Sequence, residues 1–194
     1  MPLQTLAEYE VLAVRVHGHL CAGQVLGLRM AMHGLTLLEL QDPLGGDRKR
    51  LISYVEIDRC MTDAIGVVTG CRLGKRALKL RDFGKAAATF CDLQAGRAVR
   101  IAARESSKQQ ARRLYPELPE REAQMRAYRE MDAADLFDTQ WVQVSMQEED
   151  LPGYKAARVI CAQCGEAISF RREVDAGGRT LCRACAGEGD YRVL

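Results

Sequence analysis

Two imidazoles and a thiol lie at alternate positions near the N-terminus, in the segment His17-Gly-His19-Leu-Cys21. In an extended backbone, side chains two residues apart point to the same face, so these three side chains are expected to converge on one point. Imidazole and thiolate together suit zinc and similar transition metals. The segment therefore predicts a metal site. The alternative is a turn with a buried cysteine and partly exposed histidines.

Four cysteines near the C-terminus form two CxxC pairs, with the spacing Cys161-x2-Cys164-x17-Cys182-x2-Cys185. This separation is typical of a structural zinc site in which each pair supplies two thiolates to a tetrahedral ion. We therefore predict a structural zinc ion held by all four cysteines. A redox dithiol pair is the weaker alternative, because two CxxC pairs with a hairpin between them differ from a lone CxxC.

The residues between the two cysteine pairs predict this hairpin. Segments 168–174 and 179–181 are expected to be strands on either side of the turn Asp175-Ala-Gly-Gly178. A segment this short buries too little apolar surface to fold reliably without a bound ion. Residues 151–194 are therefore predicted to form a zinc-ribbon finger with a structural or docking role.

Composition narrows the class of protein. Eight cysteines in 194 residues, with no export signal at the N-terminus, indicate metal binding or thiol chemistry rather than a disulfide framework. A cytoplasmic location is the expectation, and the lack of a long uncharged apolar segment argues against a membrane protein. The net charge of +2 gives no general attraction to nucleic acid.

The elements around the histidine segment follow from apolar spacing. This spacing predicts one helix over 3–16 and a second from Gly23 to about Leu40, whose first-turn amides favour a thiolate or an anionic ligand. A strand over 51–57 is followed by a helix that Asp58 is expected to cap. Cys60 then lies in the first turn of that helix, just beyond the end of a strand.

The remaining elements complete an α+β domain over residues 1–150. Its N-terminal helices are expected to pack on a mostly antiparallel sheet. A charged helical region over 104–131 precedes a closing strand over 141–146, and an acidic linker over 148–153 marks the boundary with the finger. Three further strands are predicted over 78–80, 86–93 and 99–103.

A basic loop bounded by glycines, Gly70-Cys71-Arg72-Leu73-Gly74-Lys75, follows the third predicted helix. It lacks the full spacing and the hydroxyl of a phosphate-binding P-loop. An anion-binding loop is one interpretation. A tight turn with a solvated lysine is the interpretation favoured by the residues alone.

Five blocks occur in order along the first 150 residues. They are His17-Gly-His-Leu-Cys-Ala-Gly23, Gly27-Leu-Arg-Met-Ala31, Cys60-Met-Thr-Asp-Ala-Ile65, Thr69-Gly-Cys-Arg-Leu-Gly-Lys75 and Asp82-Phe-Gly-Lys85. Together they resemble the family of the E subunit of formylmethanofuran dehydrogenase, over about residues 10–147. This sequence departs from the commoner Cys-Pro-Gly of the family by having Ala22. The terminal finger resembles the DksA/TraR type.

The family resemblance implies a dimeric α+β domain with a metal-capable site. Mapped onto this chain, it adds Cys60 to the candidate ligands His17, His19 and Cys21. It makes Asp63 a group that orients a ligand or acts as a base. Cys71 becomes a further ligand or redox partner, and Lys75 becomes a candidate contact for a bound cofactor or anion. Three protein ligands would leave a coordination position open, whereas four would close it.

Three functions are compatible with these features. The first is an accessory protein that binds zinc or another transition metal, acting with a molybdenum or tungsten enzyme or in handling its metal or cofactor. The second is an enzyme acting on a small anionic substrate, with Cys21 or Cys60 as nucleophile and Asp63 as base. The third is a regulator that acts through the finger. Its arginines are diluted by acidic residues, so protein docking is favoured over nucleic-acid binding.

Overall fold

The chain, seen in a computed structural model that describes residues 2–191, divides into two compact units. The first ends at Ser145 and the second begins at Met146, slightly before the predicted boundary at residue 150. Within the described residues no helix has the length and apolar character needed to cross a membrane.

The first unit contains six helices and five strands among its described residues. A short 3-10 turn over Leu73–Lys75 precedes the second strand. The helices are α1 (Leu6–His17), α2 (Ala22–Leu37), α3 (Cys60–Thr69), α4 (Ser106–Leu114), α5 (Glu120–Glu130) and α6 (Ala133–Leu136). The strands are β1 (Leu51–Val55), β2 (Leu78–Leu80), β3 (Ala87–Asp92), β4 (Arg97–Ala103) and β5 (Phe137–Val142).

The five strands form one sheet in the order β2-β1-β3-β4-β5. Only the β1/β2 pair is parallel; the other three pairs are antiparallel. The predicted α+β class with a mostly antiparallel sheet is therefore confirmed. The closing strand lies at the sheet edge but begins at Phe137 rather than Trp141. The reason is that Phe137 is almost fully buried and pairs with Ala103.

Helix α2 occupies the centre of the core. It packs along α3 and against β3 and β4, and its residues Val25, Leu28 and Leu35 are fully buried. Gly34 faces the ring of Phe90 so closely that a Cβ there would lie 2.4 Å from the ring. The small residues of α2 thus let this helix approach both the sheet and α3, and α3 carries Cys60.

Helix α1 starts three residues later than the apolar spacing predicted. Thr5 caps it: the Thr5 hydroxyl accepts a hydrogen bond from the Glu8 amide at 3.3 Å, and the Glu8 carboxylate accepts one from the Thr5 amide at 2.8 Å. This reciprocal pair fixes the first turn. Asp58 likewise does not cap α3, because Arg59 occupies the N-cap position.

Gly27 sets the spacing between α2 and α3, which leads to a first prediction. A Cβ at Gly27 would lie 2.5 Å from the carbonyl oxygen of Met61 and 2.8 Å from its Cα, so α3 must move. We expect Gly27→Ala to lower the free energy of unfolding of this unit by about 1–3 kcal/mol. Urea unfolding followed by the fluorescence of Trp141, the single tryptophan, measures the change.

Gly23→Ala is the matched control on the same helix. A Cβ there would make ordinary contacts, 3.5 Å from Cys60 Cβ and 3.8 Å from Cys21 Sγ. Alanine has the higher helix propensity, so this variant should be as stable as the wild type or more stable by up to about 1 kcal/mol. Equal unfolding midpoints for the two variants would contradict the role given to Gly27.

The second unit is built from two small hairpins. The first pairs β6 (Val159–Ile160) with β7 (Ala167–Ile168), and the second pairs β8 (Val174–Asp175) with β9 (Thr180–Leu181). A short helical turn over Ala184–Glu188 follows.

The predicted continuous strand over 168–174 is wrong. Phe170 and Arg171 adopt left-handed backbone conformations, with φ of 60° and 53°, and these break it. The predicted turn is present. In it, the Asp175 carboxylate accepts a hydrogen bond from the Gly178 amide at 2.7 Å.

Candidate metal sites and the adjoining clefts

His17, His19 and Cys21 each place a potential ligand atom within 4.8 Å of the others. The predicted extended segment is wrong, although the three side chains do converge as predicted. His17 is the last residue of α1, Gly18 reverses the chain with a φ of 92°, and Cys21 is the N-cap of α2. A helix end, a left-handed glycine and a helix start therefore bring the three side chains together.

Asp63 contacts one of these histidines directly. Its Oδ2 lies 2.8 Å from His17 Nδ1, and it is one turn from Cys60 on α3. When Nδ1 carries the proton that Asp63 accepts, the lone pair of Nε2 is available to a metal. A carboxylate in this position fixes the tautomer and orientation of a metal-binding imidazole. The contact thus suits the role expected of Asp63 as an orienting group.

Cys60 lies beside Cys21 but outside the tight group of three. Burial raises the pKa of the Cys60 thiol, and its hydrogen bond with Cys21 raises it further, while the Arg59 cation opposes both. The structure therefore offers three ligands from the His17–Cys21 segment and a neighbouring thiol as a candidate fourth. This mixture of imidazole and sulfur fits a borderline-soft metal ion.

An unpartnered buried amide lies one helical turn beyond Cys21. The Gln24 side chain is fully buried, and neither its amide nitrogen nor its carbonyl oxygen has a hydrogen-bond partner among the described atoms. Buried polar groups are nearly always paired, so a buried water is expected to complete this environment. Gln24 lines neither of the two clefts beside the cluster.

Two clefts border the cluster. The first, with a volume of about 360 Å³, is lined by His17, Cys60 and Asp63 together with apolar residues such as Leu73 and Leu78. The second is larger, at about 600 Å³, and has His19, Cys21 and Cys60 in its wall. A small molecule in either cleft could therefore reach the candidate ligands.

The four cysteines of the second unit form a separate cluster. Their sulfur atoms all lie within 4.8 Å of one another. The Cys182 amide donates to Cys161 Sγ at 3.3 Å, and the Cys185 amide donates to Cys182 Sγ at 3.4 Å. Hydrogen bonds from backbone amides, with that of Cys164 the largest cause, lower the pKa of Cys161 to about 6. The cluster can hold a metal ion in the arrangement that the CxxC spacing predicted.

Comparison with known proteins places this architecture in a family. Residues 16–150 match the family described as "FmdE, Molybdenum formylmethanofuran dehydrogenase operon". The chain belongs to the FmdE family. The FmdE match covers the whole His17–Cys21 segment, Cys60 and Asp63, so the candidate ligands lie within the part of the chain that defines the family.

Two individual proteins are also similar to this FmdE chain. The crystal structure of a tungsten formylmethanofuran dehydrogenase FmdE-like protein from Syntrophus aciditrophicus shares its fold. The TM-score is 0.66 at 24% identity, over 97% of this chain and 96% of the other. A "Probable S-adenosyl-L-methionine-binding protein" from Archaeoglobus fulgidus is 28% identical over an alignment of 205 positions, gaps included, which covers 96% of this chain. The FmdE chain spans only about half of that relative, 54% of its length.

Two residues predicted to take part in the FmdE site are not brought to the cluster. Cys71 is buried, with its thiol 3.5 Å from the Ser53 hydroxyl and 3.7 Å from the Leu51 carbonyl oxygen, and burial raises its pKa. Lys75 is exposed at the end of the 3-10 turn. Neither lines the two clefts, so the structure gives them no contact with a molecule bound there.

Three cations in the larger cleft were not identified from the sequence. Arg59, Lys108 and Arg121 all line it. Arg59 could have been found, because it directly precedes Cys60. Lys108 and Arg121 lie on α4 and α5, in the region predicted as charged and helical over 104–131. No local pattern reveals that these helices border the cleft.

Proposed function

We propose that this FmdE chain is a metal-binding accessory protein. It acts with a molybdenum or tungsten enzyme of the formylmethanofuran dehydrogenase type, or in handling the metal or cofactor of such an enzyme. His17, His19 and Cys21 hold zinc or another transition metal, with Cys60 as the candidate fourth ligand. The observation that carries this proposal is the convergence of the three ligand atoms within 4.8 Å, in a chain that belongs to the family.

The surroundings of the cluster support a binding role. Three protein ligands leave one coordination position for a water or a small ligand, and the clefts of about 360 and 600 Å³ provide room for one. Family membership supports the link to a molybdenum or tungsten enzyme. We propose a homodimer on the same family basis, and light scattering of the purified full chain tests it.

The finger is proposed to bind a structural zinc ion and to dock on protein. Its arginines support this assignment, because several are already engaged by acidic or aromatic groups within the second unit. Arg172 lies 2.5 Å from an Asp150 oxygen, and Arg171 lies over the Tyr154 ring at 5.9 Å. Less positive charge is then available for a phosphate backbone. Unchanged mobility of DNA and RNA at low salt would agree with protein docking, and a salt-sensitive shift would support a regulator.

An enzyme acting on a small anionic substrate is the second candidate. It is favoured by the larger cleft, which has the thiols of Cys21 and Cys60 in its wall. One of these thiols would act as nucleophile, with Asp63 as base. Asp63 lines the smaller cleft, where Cys60 is also in the wall. The name of the Archaeoglobus fulgidus relative adds S-adenosyl-L-methionine to the small molecules to be tested as ligands.

Cobalt substitution tests the proposed site. The full chain is loaded with one equivalent of zinc for the finger and then titrated with Co²⁺. We expect the visible spectrum of tetrahedral cobalt with a thiolate charge-transfer band, and the band should be lost in Cys21→Ser. A change in the spectrum on adding azide would indicate an open coordination position, as binding or catalysis requires. No cobalt signal in the wild type would contradict the metal site.

Asp63→Asn is a second prediction for this site. Asparagine keeps the shape of the side chain but removes the charge that supports the His17 imidazole. Substitutions of such supporting groups typically weaken metal affinity by roughly 10–100-fold. Competition with a chromophoric zinc chelator measures the loss. Asp58→Asn is the matched control, since Asp58 lines the same cleft without a hydrogen bond to His17. Equal affinities for the two variants would contradict the role of Asp63.

A further inference from the structure

The larger cleft differs from an ordinary surface hollow in the sign of its charges. Three cationic side chains line it, and they come from separate elements: Arg59 precedes α3, Lys108 lies on α4 and Arg121 lies on α5. None of the lining residues is an aspartate or a glutamate. Tertiary packing thus gathers positive charge at this cleft, although the chain as a whole carries a net charge of only +2.

Two of these cations have no acidic partner in the described part of the chain. Lys108 forms an ion pair with Glu105 at 2.8 Å, and a second acid on these helices, Glu120, pairs with Arg112 at 2.8 Å. No carboxylate among residues 2–191 lies within ion-pair distance of Arg59 or Arg121. These two guanidinium groups are therefore available to an external anion, which arginine binds through two parallel hydrogen bonds.

The rest of the cleft wall is largely apolar. Leu26, Ile57 and Met125 line it together with the backbone at the start of α2, and the Cys21 and Cys60 thiols lie in the same wall. A volume of about 600 Å³ is in the range of pockets that bind small organic molecules. A ligand matched to this surface has an apolar body, an anionic group and an end that reaches the sulfur ligands.

We propose that the cleft binds a small organic anion whose carboxylate or phosphate group is held by Arg59 and Arg121. This inference rests on the proposed metal site, because the other end of the ligand lies next to Cys21 and Cys60. It places the anion in the cleft rather than at the basic loop Gly70–Lys75, for which anion binding was one of two interpretations. Lys108 adds a longer-range attraction while it remains paired with Glu105.

Binding of phenyl phosphate to the metal-loaded full chain tests this proposal. Isothermal titration calorimetry compares phenyl phosphate with phenol, its neutral counterpart. Charge-assisted hydrogen bonds contribute enough that Arg121→Gln should weaken binding roughly tenfold or more. Arg121→Lys should retain part of the affinity because it keeps the charge. Arg113→Gln removes an arginine on α4 that does not line the cleft, and it should bind as the wild type does.

Metal content is measured on the same samples, so the two proposals can fail separately. The anion site is supported if Arg121→Gln loses affinity with its metal content unchanged. It is overturned if Arg121→Gln binds phenyl phosphate as tightly as the wild type, or if phenol binds equally well. Tighter binding of S-adenosyl-L-methionine to Arg121→Gln would also overturn it, because this ligand carries a carboxylate that Arg121 would then not hold. The other outcome is that the wild type takes up no metal at His17, His19 and Cys21 but still binds phenyl phosphate through Arg121. That outcome would refute only the metal site.

Discussion

Replacing Cys182 by serine is expected to unfold the second unit while the first keeps its structure. The buried apolar cluster of this unit consists of Cys161, Ile168 and Leu181 in its described part, which is too little to fold a chain of this length. Structural zinc contributes about 10–16 kcal/mol of apparent free energy in finger peptides. Loss of one thiolate removes most of that contribution and also removes the hydrogen bond that the Cys185 amide donates to Cys182 Sγ.

Amide NMR spectra of the full chain measure this effect. In Cys182→Ser the resonances of residues such as Ile168 and Leu181 should collapse to unfolded positions, whereas those of α2 and the sheet stay in place. Addition of a strong chelator to the wild type should produce the same change. Gln163→Ser, an exposed position in the first CxxC pair, should leave the spectrum intact. Dispersed finger resonances in Cys182→Ser would mean that the fold of this unit does not depend on four thiolates.

Removal of the Cys21 thiol is expected to abolish tight metal binding in the first unit. Cys21 is the only sulfur in the described group whose ligand atoms lie within 4.8 Å of one another, and it lies at the N-cap of α2. Cys21→Ser leaves two imidazoles, which bind a divalent ion much more weakly. We expect a loss in affinity greater than the roughly 10–100-fold loss typical of a supporting residue.

Cys60→Ser, compared with Cys21→Ser, tests whether Cys60 is a fourth metal ligand. Cys60 is adjacent to Cys21 but outside the tight group, so a three-ligand site should keep most of its affinity in Cys60→Ser. A loss as large as that of Cys21→Ser would instead show that Cys60 is a fourth ligand and that the site is closed. Competition with a chelator on both variants provides the comparison. Unchanged affinity in Cys21→Ser would contradict the assignment of the first unit as a metal protein.

The identity of the candidate ligands could be predicted from the sequence, because metal binding depends on residue type and spacing. The CxxC pairs and the His17–Cys21 segment were found in this way, and the structure brings each set together. The backbone that achieves this convergence was predicted less well. Gly18 directly follows His17, and a glycine in this position is typical of a helix C-terminus. The end of α1 at His17 could therefore have been predicted in place of an extended segment.

The features that depend on distant parts of the chain could not be predicted. Cys71 follows a helix in a glycine-bounded basic loop, and only the packing of that loop against β1 shows that its thiol is in the core. Lys108 and Arg121 lie on helices whose sequences resemble any solvated amphipathic face. Their place beside Cys60 depends on how α5 packs against α2 and α4 packs against α5, which local spacing does not encode.

Metal content per chain tests the central claim most directly. Elemental analysis is applied to the full-length wild type and to the Cys182→Ser/Cys185→Ser double variant, which lacks two ligands of the finger. We predict about two equivalents of transition metal in the wild type and about one in the double variant, lost when Cys21→Ser is added. One equivalent in the wild type and none in the double variant, with the first unit still folded, would contradict a metal site at His17, His19 and Cys21.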